Sequence, residues 1–382
     1  MKLFECQNCG NALHFDNTIC LNCRHRVGYL QDRFEMSALR KTADGWSALA
    51  DRNVPYRLCA NAEEHDACNW LFAANCDSTL CQSCRHNRMI PDLSIPANVV
   101  HWRKIELAKR YVFRSLMRWG LSPPSRLEDP KAGLAFDLLS DSLEADGSPK
   151  KVLTGHADGV ITLNVAEADD AVRELRRSSM GESYRTLVGH FRHELGHYFW
   201  DRLVRDTNRL PEFRAVFGDE TQDYAASLKR HYQDGPPAGW RDAFVSAYAT
   251  SHPWEDFAET WAHYIHMVDA LETARSYGIN VRASFTQPAQ AVDLNFEPYA
   301  ASSAAQLIEA WIPLTVAING VNRSMGQPDL YPFVLSQPVL GKLDYVHGLI
   351  HRRRREARDR PATLRSVQDL EGAAPPLASG RG

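Results

Sequence analysis

The chain has 382 residues, with 44 lysines and arginines against 47 aspartates and glutamates. The formal net charge of −3 lacks the basic excess that is typical of nucleic-acid-binding proteins. Hydrophobic residues make up 44 % of the chain, enough for a buried core, and the length exceeds one ordinary domain. The N-terminus shows no apolar signal-peptide region, and we identify no apolar stretch of about 18 residues that could span a bilayer. We therefore expect a cytoplasmic protein with no membrane partner.

All nine cysteines lie between Cys6 and Cys84. In a reducing cytoplasm, such clustering is more typical of metal ligands than of disulfides. Residues 1–30 contain two Cys-x2-Cys pairs, an arrangement that presents four thiolates to one tetrahedral Zn²⁺ in a zinc ribbon. A segment this short cannot bury enough apolar surface to fold alone, so the metal would supply its folding energy. The predicted ligands of this first structural zinc are Cys6, Cys9, Cys20 and Cys23.

A second cysteine-rich zinc module is expected at residues 55–95, after a linker at residues 31–54 that contains a short helical or extended piece. Only one regular Cys-x2-Cys pair occurs there, so the other two ligands are chosen from isolated cysteines. The predicted ligands of this second structural zinc are Cys59, Cys68, Cys81 and Cys84.

Two residues leave the second module open to other interpretations. His65 is an alternative ligand, and Cys76 is either a small buried apolar residue or a substitute ligand. Zinc ribbons also occur in modules that bind proteins or nucleic acids. The two modules therefore leave open a partner of either kind.

Hydrophobic periodicity organises the rest of the chain. A helix is predicted over residues 101–119 and stopped by Pro123-Pro124. Strands follow, with a hairpin turn at residues 156–159; they are predicted at Leu134–Leu139, Lys151–Thr154 and Gly159–Val165. Helices then dominate, at residues 167–177, 182–204, 219–233, 240–250, 254–275, 302–319 and 336–356. We therefore expect an α+β fold, with a mostly helical domain at residues 100–350 and a disordered tail at residues 361–382.

Residues 193–197 read His-Glu-Leu-Gly-His, an HExxH pattern. On a helix, His193 and His197 share one face, so both imidazoles can reach the same zinc ion. Glu194 lies beside that face, where it can act as a general base on zinc-activated water. The pattern predicts the catalytic zinc of a metallopeptidase.

A catalytic zinc needs a third protein ligand and an open coordination position. The downstream histidine of the longer HExxHxxGxxH pattern is absent, because Trp200 and Leu203 stand where its Gly and His would be expected. Glu255 and Glu259 lie four residues apart on the predicted helix at residues 254–275 and share a face. One carboxylate can bind zinc while the other orients a ligand histidine through its second ring nitrogen. Spacing alone does not decide which does which.

The HELGH helix followed by the Glu-x-x-Ala-Glu segment resembles the gluzincin metallopeptidases. The whole chain resembles a bacterial family of zinc-binding metallopeptidases with an N-terminal zinc ribbon. The matching pieces include the Cys-x2-Cys pairs, HELGHYFW at residues 193–200 and PWEDFAETWAHY at residues 253–264.

The resemblance implies a zincin-like core in which Glu255 is the third zinc ligand and Glu259 orients His193. It also implies that Tyr248, seven residues before Glu255, stabilises the oxyanion of the tetrahedral intermediate. The alternative for Tyr248 is an ordinary core tyrosine. In such enzymes an edge strand pairs with the extended substrate, and the Lys151–Val165 hairpin is our candidate.

Together these patterns predict a zinc-dependent peptidase acting on a peptide or protein substrate, with one catalytic and two structural zinc ions. The alternative is a zinc-ribbon adaptor that binds protein or nucleic acid and carries an inactive peptidase-like scaffold. The intact HExxH and Glu255 favour the enzyme, since replacement of Glu194 would have favoured the adaptor.

Overall fold

The computed structural model describes residues 2–43, 45–143, 148–152, 154–180, 186–282 and 294–359. These residues form two compact units. The cysteine unit consists of residues 3–85 and 110–123 with the described residues from 350 onwards, and the helical unit contains residues 86–109 and 124–349. The tail predicted to be disordered, at residues 361–382, lies outside the described residues.

The cysteine unit is built mainly from short strands. In chain order, its N-terminal elements are β1 (Phe4–Glu5), β2 (Ala12–Leu13), β3 (Val27–Leu30), β4 (Glu35–Thr42), β5 (Gly45–Ala48), β6 (Asp51–Leu58), α1 (Ala60–Glu63) and β7 (Trp70–Ala73). Strands β1 and β2 form a hairpin, while β3 to β7 form a closed barrel. The barrel is antiparallel except where β3 pairs with β7 in parallel and closes it. Residues 31–54, predicted to be a linker with one short helical or extended piece, are more ordered than expected, because they supply β4, β5 and part of β6.

Aromatic packing and one close backbone approach hold this barrel together. The rings of Tyr29 and Trp70 lie 5.2 Å apart, and the ring of Phe15 lies 4.8 Å from that of Tyr29. All three side chains are buried. A Cβ atom added to Gly28 would lie 2.3 Å from the side chain of Leu71, so any larger residue there would push β3 away from β7.

The helical unit combines one mixed sheet with long helices. Its elements, together with the two helices α2 and α9 that continue into the cysteine unit, are β8 (Asn87–Met89), α2 (Pro96–Arg118), β9 (Ala135–Leu139), β10 (Ser142–Leu143), β11 (Pro149–Lys150), β12 (Gly155–Ala157), β13 (Val160–Asn164), α3 (Asp170–Met180), α4 (Leu187–Trp200), α5 (Leu210–Phe217), α6 (Tyr224–Asp234), α7 (Pro253–Ser276), α8 (Ala304–Ser324) and α9 (Gln337–Asp359). The main sheet has the order β12-β13-β9-β8. Strands β13, β9 and β8 run parallel, and β12 lies antiparallel at the edge.

This architecture agrees with the predicted α+β class and differs from the predicted elements in detail. The helix predicted at residues 240–250 is instead two short 3-10 turns, Trp240–Asp242 and Tyr248–Thr250. Here the Ser246 hydroxyl accepts the N–H of Ala249 at 3.1 Å, a side-chain bond that competes with regular helix. Residues 151, 152 and 154 do not form the predicted strand, and Leu153 lies outside the described residues.

Helices α4 and α7 pack directly against each other at a small-residue crossing. A Cβ atom added to Gly196 would lie only 2.9 Å from the Cα atom of Ala258. One turn further along α4, the rings of Phe199 and Trp261 stack at 5.0 Å. Because Gly196 lies inside the HExxH segment, this crossing brings both histidines against the first turns of α7.

Contrary to the expectation from sequence, one stretch is long and apolar enough to cross a membrane by length and composition alone, and it forms helix α8. However, 44 % of its most apolar window is buried within the protein. A core helix passes the same test, and the buried residues of α8 include Leu307, Trp311 and Leu314.

Candidate metal centres

The first cysteine group has the geometry of a tetrahedral site. The Sγ atoms of Cys6, Cys9, Cys20 and Cys23 all lie within 4.8 Å of one another. The Cys6–Cys23 and Cys9–Cys20 sulfur distances are both 3.7 Å. A zinc ion with bonds of about 2.3 Å separates its sulfur ligands by about 3.8 Å, whereas a disulfide needs about 2 Å. The four predicted ligands therefore fit a zinc ion.

Two tight turns orient these thiols. The residue after each Cys-x2-Cys pair has a left-handed backbone, with φ of 72° at Gly10 and 62° at Arg24. Their N–H groups donate to the carbonyls of Cys6 at 2.8 Å and Cys20 at 3.0 Å. Each turn thus presents both of its thiols to the same side.

The second cysteine group is fully buried. The Sγ atoms of Cys59, Cys68, Cys81 and Cys84 also lie within 4.8 Å of one another, with Cys68 and Cys81 3.8 Å apart. The backbone N–H groups of Trp70 and Cys81 donate to the sulfurs of Cys68 and Cys59, both at 3.4 Å. Such donors stabilise thiolates away from water, so this group also fits a zinc ion.

The structure leaves the two uncertain residues of the second module outside this group. Cys76 is exposed. His65 is half-buried, with its Nε2 atom 3.7 Å from a carboxylate oxygen of Glu64. Neither belongs to the cluster that could hold a metal.

The third group joins α4 to α7. The Nε2 atoms of His193 and His197 lie 3.2 Å apart. The Oε2 atom of Glu255 lies 2.9 Å from the first and 3.4 Å from the second. Ligands of a tetrahedral zinc with bonds of 2.0–2.1 Å would be separated by about 3.3 Å. This Oε2 atom is buried and its near neighbours are the two imidazole nitrogens, so a cation bound among the three atoms would balance its negative charge.

Side chains from two helices and from the loop before α7 orient this group. Glu259 Oε1 lies 2.7 Å from His193 Nδ1, and its Oε2 accepts from Ser246 Oγ at 2.6 Å. The Tyr224 hydroxyl donates to Glu255 Oε1 at 2.6 Å. The structure thus places Glu255 among the candidate ligands and Glu259 behind His193, as the resemblance implied. Sequence reasoning missed Tyr224, which lies on α6 and has no informative spacing from Glu255.

Glu194 lies beside the metal group with one carboxylate oxygen unpaired. Its Oε1 atom is 3.1 Å from His190 Nε2, while its buried Oε2 atom has no partner among the described residues. Burial raises the pKa of Glu194, but the hydrogen bond and charge of His190 outweigh it and hold this pKa below its usual range. Burial lowers the pKa of His190, but the negative charges of Glu167 and then Glu194 outweigh burial and raise this pKa to about 9. The carboxylate is therefore ionised and able to accept a proton.

Tyr248 lies close to the candidate ligand His193. Its ring centroid is 5.8 Å from that of His193. Burial, and then the negative charge of Glu255, raise the pKa of Tyr248 well above its usual range. The phenol is therefore a neutral hydrogen-bond donor near the site, a position that agrees with both roles considered for it.

The edge strand β12 borders the same site. Among the described strands, β12 pairs only with β13. The ring centroid of its His156 lies 6.3 Å from that of His197, with the two rings stacked. The ring centroid of Trp254 lies 3.8 Å from that of His197. A cavity of about 770 Å³ runs along the hairpin, between His156, Arg88 and Arg126. The predicted hairpin at residues 156–159 is confirmed, with its turn at Asp158 and Gly159.

Comparisons with known proteins agree with this arrangement. Residues 98–349 match the family described as "Putative zinc-binding metallo-peptidase", and residues 3–95 match a zinc-ribbon domain family. The chain is 42 % identical over 352 residues to uncharacterized proteins of Mycobacterium bovis and Mycobacterium tuberculosis. These alignments cover 92 % of this chain and 95 % of each relative. No solved structure matches the chain significantly.

Proposed function

Because this chain belongs to the family of zinc-binding metallo-peptidases, we propose that it is a zinc-dependent peptidase whose catalytic centre is the third group. The supporting observation is the convergence of three candidate ligand atoms, the Nε2 atoms of His193 and His197 and the buried Oε2 of Glu255. Three ligands leave one tetrahedral position open, as a catalytic zinc requires.

When bound there, zinc supplies the Lewis acidity that activates water and polarises a scissile carbonyl. Glu194 is the general base: its unpaired Oε2 accepts one proton from the attacking water. As the new C–O bond forms and the C–N bond breaks, Glu194 returns that proton to the leaving amine. Water is thereby divided between the new carboxyl group and the new amine, and Glu194 is regenerated.

Neighbouring side chains orient the ligands of this centre and the substrate oxyanion through hydrogen bonds. Glu259 holds His193 through Nδ1, so that Nε2 stays free as a ligand atom. Tyr224 fixes the Glu255 carboxylate through the oxygen that faces away from the histidines. The neutral phenol of Tyr248 donates a hydrogen bond to the developing oxyanion.

We propose a zincin-like core and an extended peptide or protein substrate. Strand β12 is antiparallel to its only partner among the described strands and lies beside His197 through His156. A peptide that pairs with this edge would gain backbone hydrogen bonds without a strict sequence requirement. The two cysteine groups then hold structural zinc, for three zinc ions per chain.

Replacement of Glu194 by glutamine tests the proposal. Glutamine is nearly isosteric but cannot accept the proton, so Glu194→Gln should retain its zinc while peptide cleavage falls by about 10²–10⁴-fold. Both are measured on one preparation, with a broad peptide library and metal analysis. Glu64→Gln, an exposed glutamate of the cysteine unit, is the matched control and should cleave normally.

Two outcomes would contradict the proposal in different ways. Unchanged turnover by Glu194→Gln with zinc retained would remove Glu194 as the base. Absence of cleavage by the wild type over the whole library would favour the adaptor interpretation, in which the zinc ribbons bind a partner.

A further inference from the structure

A line of four side chains connects the edge hairpin to Glu194. The Thr154 hydroxyl, just before β12, donates to Glu167 Oε1 at 2.9 Å. Glu167 Oε2 lies 2.6 Å from His190 Nδ1, and His190 Nε2 lies 3.1 Å from Glu194 Oε1. Glu167 is 1 % exposed and Glu194 is 6 % exposed. The line is therefore largely shielded from water.

The position of His190 between two carboxylates fixes its chemistry. Ionised carboxylates only accept hydrogen bonds, so both ring nitrogens of His190 must donate. The bond to Glu194 engages Oε1 and leaves Oε2, which has no partner among the described residues. One oxygen is thus anchored while the other is available for proton transfer.

The far end of the line is anchored in the hairpin. Glu167 belongs to the short 3-10 turn Val165–Ala168, which directly follows β13. The Thr154 hydroxyl also accepts the N–H of Asn164, the last residue of β13, at 3.2 Å. The position of Glu167 is therefore set by the two strands of the hairpin, whose outer strand β12 is proposed to meet the substrate.

We propose that His190 is a positioning residue, held by Glu167, which orients the Glu194 carboxylate and connects it to the edge hairpin. This role rests on the proposed function, in which Glu194 is the general base. His190 contacts Glu194 at Oε1 and not at the oxygen proposed to accept the proton, so its effect on the reaction is exerted through Glu194. Removing it should therefore impair turnover more than substrate or metal binding.

The kinetic test uses His190→Ala and Glu167→Gln. We expect His190→Ala to lower kcat by roughly 10–100-fold, the usual effect of losing such a support, with KM and zinc content unchanged. Glu167→Gln keeps the shape of the side chain and should lower kcat less, because His190 retains its bond to Glu194. His101→Ala is the matched control, since His101 pairs with Asp169 at 4.0 Å and takes no part in the line to Glu194, so kcat should be unchanged.

A second measurement does not depend on turnover. In protein labelled with ¹⁵N-histidine, NMR should show both ring nitrogens of His190 protonated at pH 8, since the pKa of His190 is raised to about 9. In Glu167→Gln, His190 should be largely neutral at that pH. This variant also serves if His190→Ala fails to fold.

The outcomes separate this role from the proposed function. A fully active His190→Ala, or a neutral His190 in the wild type, would overturn the positioning role while leaving the peptidase intact. A wild type that cleaves nothing would overturn the peptidase proposal, and the positioning role with it.

Discussion

The cysteine groups and the histidine group differ in the number of ligand atoms they offer and in the elements that carry them. Each cysteine group brings together four thiols, enough to complete a tetrahedron, whereas the histidine group offers three ligand atoms. The first cysteine group is built from tight turns, while the histidine group stands on α4 and α7, two long helices that cross at Gly196. From this comparison we expect metal to be needed for folding of the cysteine unit, and the helical unit to keep its fold without metal.

The largest effect should follow loss of the second cysteine group. Replacing Cys81 and Cys84 together by serine should remove one zinc ion and unfold the cysteine unit. Structural zinc contributes about 10–16 kcal/mol in small domains, as much as the whole stability of a typical one. Limited proteolysis of the whole protein shows whether cleavage within residues 3–85 increases, and metal analysis gives the zinc content. A double variant that has one zinc ion fewer but still resists protease would show that the cysteine unit folds without this metal.

Glu255→Ala should empty the histidine group without unfolding the helical unit. Two imidazoles alone hold zinc poorly, but the packing of Phe199 on Trp261 and of Gly196 on Ala258 does not involve the carboxylate. We expect zinc content to fall from three ions per chain to two, with a normal circular dichroism spectrum. If the helical unit melts in this variant, its metal is structural after all.

Glu259→Ala should have a smaller effect on the same site. His193 would lose the acceptor at its Nδ1 atom but keep its ligand atom. Zinc affinity should therefore fall by roughly 10–100-fold, measured by competition with a coloured chelator. Should Glu259→Ala empty the site while Glu255→Ala does not, the two carboxylates have been assigned the wrong way round.

The smallest effect is expected for Cys76→Ser. Cys76 is exposed and lies outside the second cysteine group, so zinc content should be unchanged and stability should move by less than about 0.5 kcal/mol. Thermal unfolding and metal analysis together provide the check. Loss of a zinc ion would show that the second site uses a different set of cysteines.

The parts of the site that sequence could predict are those fixed by local geometry. His193 and His197, like Glu255 and Glu259, share a face because residues four apart on a helix always do. The Cys-x2-Cys turns are local in the same sense. The assignment of Glu255 and Glu259 came from the resemblance and not from spacing.

The parts that sequence analysis missed depend on contacts between distant segments. Glu167 lies 23 residues from His190, and Tyr224 lies 31 residues from Glu255, with no repeated spacing to mark either pair. The barrel was missed for a similar reason. Its strands are only four to eight residues long, and its closure depends on a parallel pairing between β3 and β7 that leaves no periodic pattern.

The same barrel closure has a mechanical consequence. Strand β7 (Trp70–Ala73) lies between Cys68 and Cys81, two members of the second cysteine group, and β6 ends one residue before Cys59. A metal ion bound there would clamp both ends of β7 to the end of β6. Under a pulling force, β7 could not be drawn out of the barrel until a metal–sulfur bond broke. The other four strands of the barrel precede Cys59, so they would still be held by strand pairing alone, and stretching would open them before β7.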